Sequence, residues 1–284
     1  MSGRRLRITH RTGYRYTSPV IASFNEVRMT PRDADGQMLL SHQLQVSPRA
    51  SVQAYVDYWG ALVQSFDVHE EHEVLEVVAT SLVDVPGGHV QAPGVAWDEV
   101  RAPAVLDRWG EFLATTDLVD DARLDPDRAS LVDHLSRLPA PADAVRGAID
   151  ATRGRIRYDD SATGVTTTAA EAWSIGGGVC QDYSHTVLSL LRSVGIPARY
   201  VSGYLHDEED AAGRTVVGES HAWVEAWDGG WEAYDPTNDR AVGSAHVVVA
   251  RGRDYADVPP LKGIYAGGLS EALGVSVEIT QLPR

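Results

Sequence analysis

The chain has 284 residues, 43% of them hydrophobic and 23% charged, with 25 basic against 40 acidic residues and a formal net charge of −15. Such a composition can bury a sizeable core and excludes wholesale disorder, while the negative mean field argues against a nucleic-acid or anionic-membrane binder. One cysteine, Cys180, excludes an internal disulfide framework; no run approaches the roughly 18 apolar residues of a membrane span, and no apolar leader follows the basic start, so a cytoplasmic location is expected.

The first 32 residues hold seven arginines against one acid, Glu26. Arg5, Leu6, Arg7 and Ile8 alternate, and Tyr14 and Tyr16 keep the two-residue spacing. This predicts a half-buried strand with a charged outer face. The plain reading of that face is solvation; the other is a docking face for an acidic partner. Strand-like segments follow at 42–47, 52–58, 61–68 and 74–83, with 52–58 and 61–68 forming a hairpin about Trp59-Gly60. Residues 1–85 therefore read as a β-rich, sandwich-like domain.

Pro86, Gly87, Gly88, Pro93, Gly94 and Pro103 mark a connector, which extends to about residue 125. The period then changes. Ala129, Val132, Leu135 and Leu138 share a helical stripe over 126–138, with Pro126 in the first turn and Pro139 at the end. Helices are also expected at 142–153 and 180–194, the latter stopped by Gly195 and Pro197. Strands return at 198–204, 221–227, 246–250 and 274–280. Helices followed by strands make 126–284 an α+β domain.

Cys180 follows three glycines, Gly176, Gly177 and Gly178, and sits in the first turn of a helix. The glycines allow a sharp turn and a close approach by another molecule. A helix N-terminus carries about half a positive charge and unpaired N–H groups, which favour a thiolate and can stabilise an oxyanion. The plain alternative is an inert buried cysteine. A nucleophilic cysteine needs a base, and that base needs an orienting group.

Ten histidines compete for the role of base. His69 and His72 lie among Glu70, Glu71, Glu73 and Glu76 without a strong third metal-ligand pattern. His185 is about 140° round the helix from Cys180. His206 opens the acidic loop HDEED, read as a solvated turn. His221 instead begins the strand His221-Ala222-Trp223-Val224-Glu225-Ala226-Trp227. A turn at Asp228-Gly229-Gly230 and a second strand would bring Asp235 back beside it. Asp235 would then accept the Nδ1 proton of His221 and leave Nε2 to face the thiol. The plain reading of Asp235 is a turn residue before proline.

The stretches Gly178-Val179-Cys180-Gln181-Asp182-Tyr183-Ser184-His185, Ser220-His221-Ala222-Trp223-Val224-Glu225, Tyr234-Asp235-Pro236-Thr237-Asn238 and Gly252-Arg253-Asp254-Tyr255-Ala256-Asp257-Val258-Pro259-Pro260 resemble the core of bacterial transglutaminase-like proteins. Leu190 through Tyr204 is similar to the same core. Ile8 through Tyr16, Arg28-Met29-Thr30-Pro31-Arg32 and Tyr55-Val56-Asp57-Tyr58-Trp59-Gly60 resemble the β-rich region that precedes it in one branch of that family. Gly177 and Ala61 depart from the family pattern, which carries a larger residue such as arginine and an asparagine there.

The resemblance implies a papain-like α+β core and a catalytic triad of Cys180 as nucleophile, His221 as base and then acid, and Asp235 as orienter. The shared chemistry is acyl transfer on amide bonds of a peptide or protein, with hydrolysis favoured over cross-linking. No cofactor and no metal are expected: no D-x-D-x-D-G loop occurs, and residues 207–210 are a weak alternative calcium site. Two other classes compete. One is a catalytically idle fold used as a protein-binding module; the other is a histidine-based metal hydrolase.

Overall fold

The computed structural model describes residues 3–88, 92–206, 213, 215–218 and 220–283. The alternating start forms one long strand, Arg4–Val20, paired antiparallel with His72–Val85. Around these lies a six-stranded sheet that also contains Met38–Ser47, Thr215–Gly218, Ser270–Ala272 and Ser276–Leu282. A second, four-stranded sheet runs in the order Leu261–Ala266, Ala22–Val27, Leu62–Val68, Val52–Val56. The expected hairpin is present, with Val52 opposite Phe66 and Val56 opposite Leu62.

Tyr16, Val20, Val27, Met29, Phe66 and Leu75 are among the side chains filling the space between the two sheets. The earlier half of the same long strand sends Leu6 and Ile8 into a different core, shared with Val187, Leu188 and Leu191 of the helix that follows Cys180. One strand, two residues out of every four pointing inward, thus serves both the sandwich and the helical part.

The last three strands, expected to belong with the helical part, are hydrogen-bonded to the N-terminal strands instead. Ile279 lies opposite Ile8, Ala272 opposite Tyr14 and Ile264 opposite Phe24. The reason is edge pairing: the N-terminal strands present unpaired backbone groups that a returning chain can satisfy. The outer face of the long strand reads as solvated. Arg5 pairs with Asp84 at 2.7 Å, Arg15 lies opposite Glu271 and Thr9 opposite Glu278, so the arginines are interleaved with acids rather than massed.

The connector is built into the protein. It carries short helices at Trp97–Val100 and Pro103–Trp109. Val100, Val119 and Ala122 are fully buried, and the Trp97 indole donates to the Leu138 carbonyl at 2.8 Å. Apolar side chains scattered without periodicity still find the core when their neighbours supply it.

The remaining helices are Pro126–Leu135, Pro141–Arg155, Ala169–Ile175 and Cys180–Val194. The last is buried on nearly every side, from Gln181 to Arg192. It lies against a five-stranded antiparallel sheet ordered Arg240–Ala241, Trp231–Asp235, His221–Trp227, Ala198–Leu205, His246–Gly252. Arg192 anchors the far end of the helix, donating to the carbonyls of Ala198 and Ala114.

Candidate active site

The end of the helix that carries Cys180 is fixed by a short chain of local devices. Thr168 and Glu171 exchange capping hydrogen bonds at the start of the preceding helix, and Gly176 ends it at φ +74°. Gly177 and Gly178 then pair in parallel with Arg157 and Tyr158. A Cβ on Gly178 would lie 2.5 Å from Asp182 Oδ2, so only glycine fits there. That oxygen accepts from the Val179 N–H at 2.8 Å and from Thr163 Oγ1 at 2.6 Å, capping the helix. A Cβ on Gly177 would stand 3.2 Å from that of Ala162 and 3.7 Å from that of Asp159, so the loop before residue 163 lies closely over this departure from the family pattern. Cys180 is the first helical residue and is partly exposed. Its backbone N–H precedes the first intrahelical bond and is free to face an oxyanion.

The hairpin puts Val224 opposite Tyr234 and Trp227 opposite Trp231. Asp235 follows Tyr234 directly and reaches diagonally to His221, whose Nε2 donates to Asp235 Oδ2 at 2.8 Å. This corrects the expected tautomer. A diagonal neighbour is farther away than a direct one, and Nε2, at the tip of the ring, spans that gap where Nδ1 does not. Nδ1 is therefore the nitrogen left for Cys180, an electrostatic partner of the ring. The three residues singled out in the sequence are brought together.

Burial disfavours the charged ring of His221, but hydrogen bonds to Asp235 and Cys180 and the charges of those groups outweigh it. Its pKa is pushed up to about 10. Burial acts on Asp235 in the opposite sense, raising it. The hydrogen bonds from His221 and His246, the His221 charge and the Asn238 amide together hold its carboxyl well below the usual carboxylate range. Asp235 is 1% exposed. Its Oδ2 accepts from His221, from Asn238 Nδ2 at 2.9 Å and from His246 Nε2 at 3.2 Å, while Oδ1 accepts the Thr237 and Asn238 N–H groups at 3.2 Å each. Arg153 holds the same turn by donating to the carbonyls of Pro236 and Thr237.

His246, Asn238 and Asp182 were not among the residues chosen from the sequence. His246 carried the signal that singled out His221, a histidine heading an apolar strand. Asn238 carried the turn chemistry of Asp-Pro-Thr-Asn. His246 is held down from its ordinary pKa by burial, despite Asp235.

Other histidines have structural surroundings. His185 is fully buried and accepts from the Tyr255 N–H at 3.2 Å; burial and the Arg192 charge push it down to about 3. His206 is buried, 0% exposed, and not on a solvated turn; Arg4 donates to its carbonyl at 3.3 Å. Residues 207–210, the weak calcium alternative, lie outside the described residues. Ligand atoms of His221, Asp235 and His246 lie within 4.8 Å of one another, the one such group of three among the described residues. Protons shared with one carboxylate oxygen account for that spacing.

Residues 6–84 match the family described as the bacterial transglutaminase-like N-terminal region, and residues 129–236 match the transglutaminase-like superfamily. The chain belongs to the transglutaminase-like superfamily. Members are typically cysteine-dependent enzymes, and the matched core contains Cys180, His221 and Asp235 but stops short of His246. The Mycobacterium leprae protein ML0607 is 42% identical over 280 residues, 98% of this chain and 99% of that protein. A solved candidate cysteine protease from Cytophaga hutchinsonii has the same fold, with a TM-score of 0.80 at 20% identity, covering 100% of this chain and 92% of that one. A more local likeness, 42% over 65 residues, joins 21% of this chain to 10% of the protein-glutamine gamma-glutamyltransferase of Pseudomonas aeruginosa.

Proposed function

We propose that the protein is a cysteine-dependent acyl-transfer enzyme acting on amide bonds of peptides or proteins. Cys180 is the nucleophile, His221 the base and then the acid, and Asp235 the group that orients His221. One observation carries the reading: a single imidazole is hydrogen-bonded through Nε2 to a buried carboxylate, which leaves its other nitrogen for the thiol at the start of the helix, an electrostatic partner of the ring. In this reading the ring takes the thiol proton and leaves a thiolate as the attacking group.

The thiolate attacks the amide carbonyl, and the backbone N–H of Cys180 receives the developing oxyanion. The C–N bond breaks as His221 gives its proton to the leaving nitrogen, which departs as ammonia or an amine. The acyl group remains on sulfur as a thioester. His221 then takes a proton from water, hydroxide attacks the thioester, and a carboxylic acid leaves with the thiolate–imidazolium pair restored. Hydrolysis is favoured because water reaches a partly exposed thiol without a dedicated binding site, whereas an amine must be held. Transfer to an amine is the second reading, supported by the local likeness to a glutamyltransferase. The cytoplasm, where a lone thiol stays reduced, is the proposed compartment.

Mass spectrometry of the protein after brief exposure to a glutamine-peptide library with a labelled amine tests the reaction. A thioester on Cys180 with released ammonia is expected, and a labelled adduct would identify amine transfer. Cys180→Ala is expected to abolish turnover. Full turnover by that variant, or loss of turnover to a chelator, would overturn the thiol mechanism. A thiol that resists alkylation at pH 6 would leave the binding-module reading.

A further inference from the structure

The carboxylate that orients His221 is shared with a second histidine. His246 opens the strand His246–Gly252 and is 2% exposed, with its ring 5.3 Å from that of Trp223 in an edge-on contact. Its Nδ1 accepts the Gly243 N–H at 3.3 Å. Nε2 must then carry the proton of the neutral ring, and it points that proton at Asp235 Oδ2, 3.2 Å away. The Gly243 amide thus fixes the tautomer of a ring that has no access to solvent.

We propose that His246 is a positioning residue, which holds Asp235 Oδ2 toward His221 and keeps the mobile proton of the site on His221. The assignment rests on the thiolate–imidazolium reading of Cys180 and His221.

Two histidines on one carboxylate oxygen raise the question of which takes the extra proton. In His221 only Nε2 is committed to Asp235, so protonation of Nδ1 lets the ring donate toward sulfur. His246 has no such vacancy. A proton on its Nδ1 would break the bond from Gly243 and set two N–H groups against each other in a dry site. The groups facing this pair act in the same direction. Asp235 lies on the adjacent hairpin strand and favours a charge on either ring. Cys180, from the helix, favours it on His221, while Arg240, from the short strand beside Asp235, and His221 itself oppose it on His246. With the neutral donor in place the carboxylate cannot rotate away from His221 without orphaning His246 as well as Asn238.

The test uses the rate of Cys180 alkylation by iodoacetamide across pH 5–9, read by intact-protein mass; with one cysteine in the chain, each added label reports that residue. His246→Phe keeps a ring against Trp223 but has no donor. His246→Gln keeps a donor for Asp235 and an acceptor for Gly243. The expected result at pH 6 is about tenfold slower alkylation in the Phe variant, a displacement of the profile by about one pH unit toward that of an ordinary thiol. The Gln variant should return to within about threefold of the unsubstituted protein. A purely structural role would lower the urea midpoint of both variants and leave the pH profile in place. An unchanged profile in His246→Phe overturns the assignment while the triad stands. If the unsubstituted protein itself lacks reactivity at pH 6, the thiolate–imidazolium reading falls, and the assignment with it.

Discussion

Asp235→Asn removes one charge and keeps the shape of the side chain. The carboxylate accepts five donors, three on Oδ2 and two on Oδ1. An amide can accept on one side only. If its NH2 takes the Oδ2 position, it faces the donor of His246, which cannot reverse, the exposed Asn238 amide, which can turn its oxygen inward, and His221, which can move its proton to Nδ1. If the NH2 takes the other position, it faces the N–H groups of Thr237 and Asn238. Either way at least one donor loses its acceptor, at about 1–3 kcal/mol where it is buried, so the variant should unfold about 1–3 kcal/mol more easily. The first orientation also puts an N–H on the nitrogen facing sulfur, which removes the base. Replacing a carboxylate beside a catalytic histidine with an amide lowers turnover roughly 10⁴-fold in the serine-protease triad, and a comparable loss is expected here. The assays are urea unfolding followed by tryptophan fluorescence and iodoacetamide labelling at pH 6. A variant with the original urea midpoint and the original labelling rate would refute both the hydrogen-bond accounting and the proposed proton path.

Stability should depend on pH through the same ring. The His221 pKa is raised from an ordinary 6.5 to about 10, so its contribution is fully present below about pH 6.5 and is lost as pH rises toward and through about 10. Urea midpoints are therefore expected to fall between pH 7 and pH 10 in the unsubstituted protein and to fall less steeply in His221→Gln; parallel curves would refute the assignment. Gly178→Ala would drive a methyl group to 2.5 Å from Asp182 Oδ2. The carboxylate must leave the Val179 N–H and the Thr163 hydroxyl, costing about 0.5–2 kcal/mol for the lost cap and slowing Cys180 labelling at pH 6. A urea midpoint and labelling rate equal to those of the unsubstituted protein would contradict this.

Much of the site was legible because its parts are local. Three glycines before an amphipathic run locate Cys180 at a helix start, and a two-glycine turn between short apolar strands brings Asp235 near His221. Such signals act over a few residues and are carried by backbone conformation and period. His246 was passed over because two strands, His221–Trp227 and Ala198–Leu205, lie between its own strand and that of its partner Asp235 in the sheet. His206 was misread because an acidic neighbourhood in sequence does not reveal that Arg4, 202 residues away, meets it in space.

By itself the sequence determined the family and the α+β class, and it singled out Cys180, His221 and Asp235. Tertiary structure alone decided which nitrogen of His221 pairs with Asp235, that a second histidine shares its carboxylate, and that the chain's final strands complete the N-terminal sheets. Those outcomes depend on register and edge pairing between distant segments, and an imidazole takes its tautomer from whichever neighbours the finished fold delivers.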